Sequence, residues 1–188
     1  MESLTLFTGT RMAVSGDRNA VAERLRELAA QADAGQLLVF DDLTGRQVDL
    51  DLREGGDAAS AGDDPTQPEH RGPGRPRLGV VGREVTLLPR HWEWLNAQPG
   101  GASVALRKLV DQARKDSAGS DRIRQSQEAA FRFMTAMAGN EPGFEDACRA
   151  LYARDGQSFE SRVANWPEDV AAYARQLAEG AFDAEADE

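Results

Sequence analysis

From Glu54 to Gly74 the chain carries no large apolar side chain: EGGDAASAGDDPTQPEHRGPG is glycine, proline, small and polar residues throughout. Such a stretch buries too little to offset the entropy of ordering it, so it reads as a disordered linker. The 188 residues therefore divide there, into a small unit before the linker and a longer region after it.

Before the linker, Leu4 to Phe7 reads as a short strand and Arg11 to Val14 as a second. Ser15-Gly16-Asp17 supplies turn and N-cap chemistry for a helix over Asn19 to Ala32, where Val21, Leu25 and Leu28 share one face and Gly35 follows as the stop. QLLVF, residues 36–40, is a strand and DDLTG, residues 41–45, a turn. RQVDLDL, residues 46–52, alternates Val48, Leu50 and Leu52 with Asp49 and Asp51, which predicts a hairpin with one wet face. Residues 1–53 thus form a small α+β unit, with 54–74 as linker.

After the linker, residues 75–115 predict strand–helix–helix. The strand covers Leu78 to Leu88. One helix runs from Pro89, tolerated in a first turn, to Gln98. Pro99-Gly100-Gly101 breaks it, and Ser103 caps a second helix to Lys115. DSAGSD, residues 116–121, is a polar connector. Residues 121–180 form a helical C-terminal region, with helices over 123–138, 143–154, 158–165 and 166–177, and 181–188 is an acidic, frayed tail. The fold class is α+β: an N-terminal α/β-hairpin unit, a central strand–helix–helix and a C-terminal helical bundle.

Charge is distributed unevenly over this frame. The chain is −10 overall. Residues 71–124 hold 11 basic and 5 acidic side chains, while each flank is −8. A phosphate backbone meets local charge, so the net value does not exclude a nucleic-acid partner.

Other classes are poorly supplied. Cys148 is the single cysteine, which excludes an intrachain disulfide framework or a cysteine zinc cage. No run approaches a membrane span, and no basic start precedes an apolar stretch at the N-terminus, so a cytoplasmic protein without membrane partners is expected. No phosphate loop, nucleophile elbow or dinucleotide fingerprint occurs. Asp41, Asp42, Asp49 and Asp51 read as turn and wet-face residues rather than a cation site. His91 reads as a first-turn surface residue, Trp92 and Leu95 as core, Trp94 as core or dimer surface, and Cys148 as a small buried hydrophobe. A non-catalytic protein with no cofactor and no metal is the expectation.

Two local resemblances point to DNA. A strand ending in Leu-Pro, a helix with Trp92 and Leu95, a glycine turn and a helix with Val104, Leu106, Leu109 and Val110 resemble the ribbon-helix-helix fold. That resemblance implies a homodimer whose paired strands enter the major groove, with Arg83 on the outward face. It also implies a phosphate at the N-terminus of the second helix near Ser103, with Arg107 and Lys108 further along. The register departs from the family: counting back from the residue before proline, the inward set is Leu88, Thr86 and Glu84, and the outward set Leu87, Val85 and Arg83. Either a bulge shifts the register, or the strand does not read bases; a strand packed on the C-terminal helices is the bland alternative. RGPGRPR, residues 71–77, resembles the AT-hook through Arg75-Pro76, flanked by Arg71 and Arg77, with Pro73 where the first core arginine belongs.

LLVFDDLTGRQVDLDLR, GRPRLGVVGREVTLLPRHWEWLNAQPGGASVALRKLVDQAR and RFMTAMAGNEPGFEDACRALYARD together resemble a bacterial family of uncharacterised proteins, domain of unknown function 2239. The resemblance implies a cytoplasmic bacterial protein with this order of segments and supplies no catalytic residues. Two functions follow as expectations. One is a DNA-binding or regulatory protein, acting as a homodimer on double-stranded DNA through Arg71, Arg75, Arg77, Arg83, Ser103, Arg107 and Lys108. The other is a protein-interaction module whose basic segment docks an acidic partner.

Overall fold

Strand alternation explains the first part of the structure. In this computed structural model, which describes residues 3–31, 35–50 and 81–183, four strands form one antiparallel sheet in the order β2-β1-β3-β4. They are β1 (Ser3–Thr8), β2 (Arg11–Asp17), β3 (Leu37–Asp41) and β4 (Gln47–Val48). Leu6 pairs with Val39 and Thr5 with Phe40, so successive residues face opposite sides of the sheet. Leu4, Leu6 and Val39 point to one side, where Val21, Leu25 and Leu28 of α1 (Arg18–Ala29) cover them. Asp17 caps α1, its Oδ1 accepting from the Asn19 and Ala20 N–H groups at 2.9 Å.

The other side is aromatic. Phe7 and Phe40 meet Phe133 and Tyr173, with Phe133 ring centroids 5.4 Å from Phe7, 5.0 Å from Phe40 and 4.7 Å from Tyr173. Phe133 belongs to α4 (Ala118–Ala138) and Tyr173 to α7 (Glu168–Ala178). With α5 (Phe144–Tyr152), α6 (Gly156–Val163) and a terminal 3₁₀ turn (Glu179–Phe182) they share one core. Met1–Gly56 and Ser117–Glu188 therefore form one compact unit, a small sheet with helices on both faces; Asp57–Asp116 forms a second.

Several boundaries shift for physical reasons. The 116–121 connector contracts to Ser117, because α4 begins at Ala118. The Ser117 hydroxyl donates to Asp121 Oδ2 at 2.8 Å and its carbonyl accepts from the Asp121 N–H, so two small polar residues start the helix instead of delaying it. The β3–β4 hairpin ladder is only two residues long, yet its alternation holds: Leu50 is buried and Asp49 exposed. Asp51 and Leu52 lie outside the described residues, as do the 54–74 linker and the 184–188 end of the tail. Among the described residues no helix is long and apolar enough to cross a membrane.

Candidate functional site

The central unit is described from Val81 onward. Two helices form it, α2 (Pro89–Asn96) and α3 (Gly101–Asp116), joined through the Pro99-Gly100 turn and packed on each other with Leu95 and Ala105 buried. Pro89 stands at the first helical position, where its missing N–H costs nothing.

Two expectations need correction here. Residues 81–88 carry no regular secondary structure, so the described part of the predicted 78–88 strand is not a strand in the single chain. Val81, Val85 and Leu88 are 73%, 54% and 49% exposed, and Leu87 alone is half-buried. The residues have strand chemistry but no ladder partner, and a lone strand gains no hydrogen bonds over water. Nor is Ser103 an N-cap. The helix starts two residues earlier, at Gly101, whose N–H donates to the Gln98 carbonyl at 2.9 Å. The Ser103 hydroxyl instead accepts from Arg107 Nη2 at 3.3 Å.

Arg71, Arg75 and Arg77 lie outside the described residues. Arg83, Arg107 and Lys108 are exposed, as are Arg90, Arg114 and Lys115, which the sequence reading did not single out. Among the described residues none of these six cations forms an ion pair, although Glu84, Glu93, Asp111 and Asp116 belong to the same unit. In the other unit Arg24, Arg122, Arg124, Arg132, Arg149, Arg162 and Arg175 pair with carboxylates, while Arg11, Arg26 and Arg46 form no ion pair among the described residues.

Helical geometry sorts α3 into two faces. At about 100° per residue, Arg107 and Arg114 superpose seven residues apart, and so do Lys108 and Lys115; the two rows are adjacent, with Asp111 between them, leaving the stripe at +3. The opposite arc carries Ala102, Ala105, Leu106, Leu109 and Ala113. Leu109 and the flanking Val110 are 49% and 55% exposed, and Trp94 of α2 is 52% exposed. Trp94, Pro99, Ala105, Leu109, Gln98 and Lys108 line a groove of about 200 Å³. His91 is exposed at the start of α2 and Leu95 buried, as the sequence predicts, whereas Trp92, expected in the core, is only half-buried.

A second polar feature lies in the sheet unit and was invisible in the sequence. Asp42 accepts three hydroxyl hydrogen bonds: from Tyr173 at 2.6 Å and Thr5 at 2.7 Å on Oδ1, and from Ser3 at 2.6 Å on Oδ2. Thr5 has one proton to give, so it accepts from Ser15 Oγ, 3.0 Å away. Asp41 holds the adjoining turn, its Oδ1 accepting from the N–H and hydroxyl of Thr44, each at 2.6 Å. Both carboxylates thus hold the fold together. Cys148 is half-buried, and burial pushes its thiol up, away from the thiolate a nucleophile needs.

Burial, and then the Asp42 carboxylate beside it, push the Tyr173 hydroxyl far above the ordinary tyrosine range. The folded state therefore favours the neutral phenol, which stabilises the protein below the unfolded tyrosine value of about 10 and is lost as pH rises past it. Tyr173→Phe is expected to cost about 1.5–3 kcal/mol at neutral pH, the worth of one hydrogen bond to a charged group. It should also flatten the fall in stability above pH ~10, as measured by urea unfolding from pH 7 to 11. An unchanged alkaline slope would remove the phenol–carboxylate contact from the account.

A family model described as an uncharacterized protein conserved in bacteria, domain of unknown function 2239, matches residues 3–178. No curated protein and no solved structure matches the chain. With nearly its whole length inside that model, the chain belongs to this bacterial family.

Proposed function

We propose that this is a non-catalytic, cytoplasmic DNA-binding protein of a regulatory kind, whose central unit contacts double-stranded DNA through phosphates. The observation that supports it is the set of six exposed cations on residues 81–116 that form no ion pair among the described residues, four of them in one stripe along α3; Arg71, Arg75 and Arg77 precede them in the sequence. Cations that have no carboxylate to release can neutralise phosphate without first breaking an ion pair, and each neutralised phosphate frees a condensed counterion. A stripe rising 1.5 Å per residue over the eight steps from Arg107 to Lys115 spans about 12 Å, enough to touch more than one phosphate.

The test is fluorescence anisotropy of a labelled duplex titrated with the full chain at 50 and 200 mM salt. Binding is expected at low salt, with log K falling against log salt by about 0.9 for each phosphate neutralised. Absence of binding at the lower salt would overturn the reading.

A second reading is supported by the groove at Trp94 and Leu109 with Lys108 on its rim. In it the central unit docks an acidic protein segment, apolar contacts giving area and Lys108 orientation. A partner that co-purifies and is released by charge reversal of Arg107 and Lys108, together with no duplex binding, would favour this reading over the first.

A further inference from the structure

We propose that Asp111 is a specificity-determining residue of the DNA contact. With α3 in the major groove, its carboxylate accepts from the exocyclic amino group of a cytosine or adenine, while the four cations around it hold phosphates on the two strands. This rests on the DNA-binding reading and adds to it a sequence preference that phosphate contacts cannot supply.

Three observations carry it. The first is where Asp111 stands: one turn after Arg107 and Lys108, and one turn before Arg114 and Lys115. At about 100° per residue the arginine row and the lysine row lie roughly 100° apart around the axis, and Asp111 falls midway between them. A helix with its side chains is about 10–12 Å across, and the major groove is about 12 Å wide. Laid in that groove, α3 turns one row toward each backbone and Asp111 toward the floor. Side-chain length fits the same placement, with long cations reaching sideways and a short carboxylate beneath the axis, where base edges come closest.

The second is that Asp111 is exposed and unclaimed. Cations stand three and four residues away on both sides, where helical pairs form. Among the described residues Asp111 nonetheless makes no ion pair and no hydrogen bond. The third comes by elimination. Phosphate contacts set register and carry no sequence information, so a preference must come from another polar side chain of the helix. Ser103 is occupied by Arg107, and Gln112 donates to Asp116 Oδ1 at 2.7 Å. Asp111 is the one left with its acceptors open.

An ionised carboxylate only accepts. In the major groove the donors are cytosine N4 and adenine N6, while guanine O6 and N7 and thymine O4 are acceptors that repel it. Phosphate repels it too, so a stripe serving phosphate alone gains nothing from a carboxylate at its centre. At the groove floor the same charge rejects a wrong base edge, and the four cations offset its repulsion from the backbones.

Selection of duplexes from a random pool by the full chain, followed by anisotropy at low salt, tests this. The bound pool is expected to fix cytosine or adenine at one place, which identifies the amino group. Removing only that group, with pyrimidin-2-one for cytosine or purine for adenine, is expected to weaken the wild type about 5- to 150-fold, the range for one wrong base pair. Asp111→Ala, a change that favours helix, is expected to bind the selected and the amino-free duplex equally, and unrelated duplexes more tightly than the wild type does. Asp111→Asn, whose amide pairs with adenine N6 and N7, is expected to enrich adenine there whichever base the wild type selects. A carboxylate that only trims the charge of the stripe gives another result: Asp111→Ala tightens every duplex by one factor and keeps any preference. That outcome, or a wild type that binds all duplexes alike, overturns the proposal and leaves the phosphate contact standing. Absence of any duplex binding at low salt overturns both.

Discussion

Gly45→Ala is expected to destabilise the sheet unit by about 4 kcal/mol, from about 1–2 for a left-handed backbone and about 1–3 for overpacking. Gly45 closes the β3–β4 turn with φ +63°. Its N–H donates to the Asp41 carbonyl at 2.8 Å, and Arg132 Nη1 donates to the neighbouring Thr44 carbonyl at 3.0 Å. A Cβ there would lie 2.0 Å from the Ala129 carbonyl oxygen and 2.8 Å from its Cα. That obstacle is the backbone of α4, which cannot rotate away as a side chain does. Relief requires the hairpin to lift off the helix carrying Ala129 and, one turn on, Phe133, and so to open the aromatic core. Gly9→Ala is the matched control, since Gly9 has φ +57° and nothing within 4 Å of a Cβ; it should cost only the backbone part, about 1–2 kcal/mol. Urea unfolding followed by Trp166 fluorescence, with Trp92 and Trp94 replaced by Phe, reads the sheet unit alone. Equal costs for the two substitutions would show that the hairpin does not dock on α4 through this glycine.

What could be read from the chain, and what could not, divides along the range of the interactions. Val21, Leu25 and Leu28 on one helical face, Leu4 and Leu6 on one strand face, and Asp17 as a cap were legible because each depends on neighbours a few residues away. The continuous apolar run QLLVF carried a further signal, that its strand is covered on both faces. It did not say by what. The cover comes from α4 and α7, beyond the linker, so the segments the sequence separates at residue 54 share one core. Asp42 is the sharper case. As one of several turn aspartates it looked ordinary, and its meaning comes from Tyr173, 131 positions on, and from Thr5. The strand before Pro89 is the reverse case. Its composition was legible and its structure was not, because a ladder needs a partner the single chain does not supply. The basic segment was found by counting charge. That four of its cations, Arg107, Lys108, Arg114 and Lys115, stand on α3 opposite its apolar arc and form no ion pair among the described residues became clear only from the helix start at Gly101 and the exposures of Leu109 and Val110.

Neutralising the stripe is expected to have the largest effect on binding. The variant Arg107→Gln, Lys108→Gln, Arg114→Gln, Lys115→Gln removes four cations from exposed positions that make no ion pair among the described residues. Its cost to folding should be small, within about 0.5 kcal/mol per site, as for surface changes that break no partner. Only Arg107 gives up a contact, its long hydrogen bond to Ser103. If the four residues meet phosphates, the salt slope falls by up to about 3.6, at about 0.9 per contact. Between 50 and 200 mM salt that difference in slope is worth about a hundredfold in affinity, and at 50 mM the variant is expected to bind at least ~100-fold more weakly than the wild type. The matched control replaces Arg24, Arg149, Arg162 and Arg175 with Gln in the sheet unit. It removes the same charge from residues already paired to carboxylates. An effect of net charge alone would weaken binding equally in both variants, whereas a local phosphate contact weakens only the first. Equal loss would therefore reduce the central stripe to ordinary solvated charge. Loss confined to the stripe, with the salt slope falling in step, would locate the DNA contact on α3.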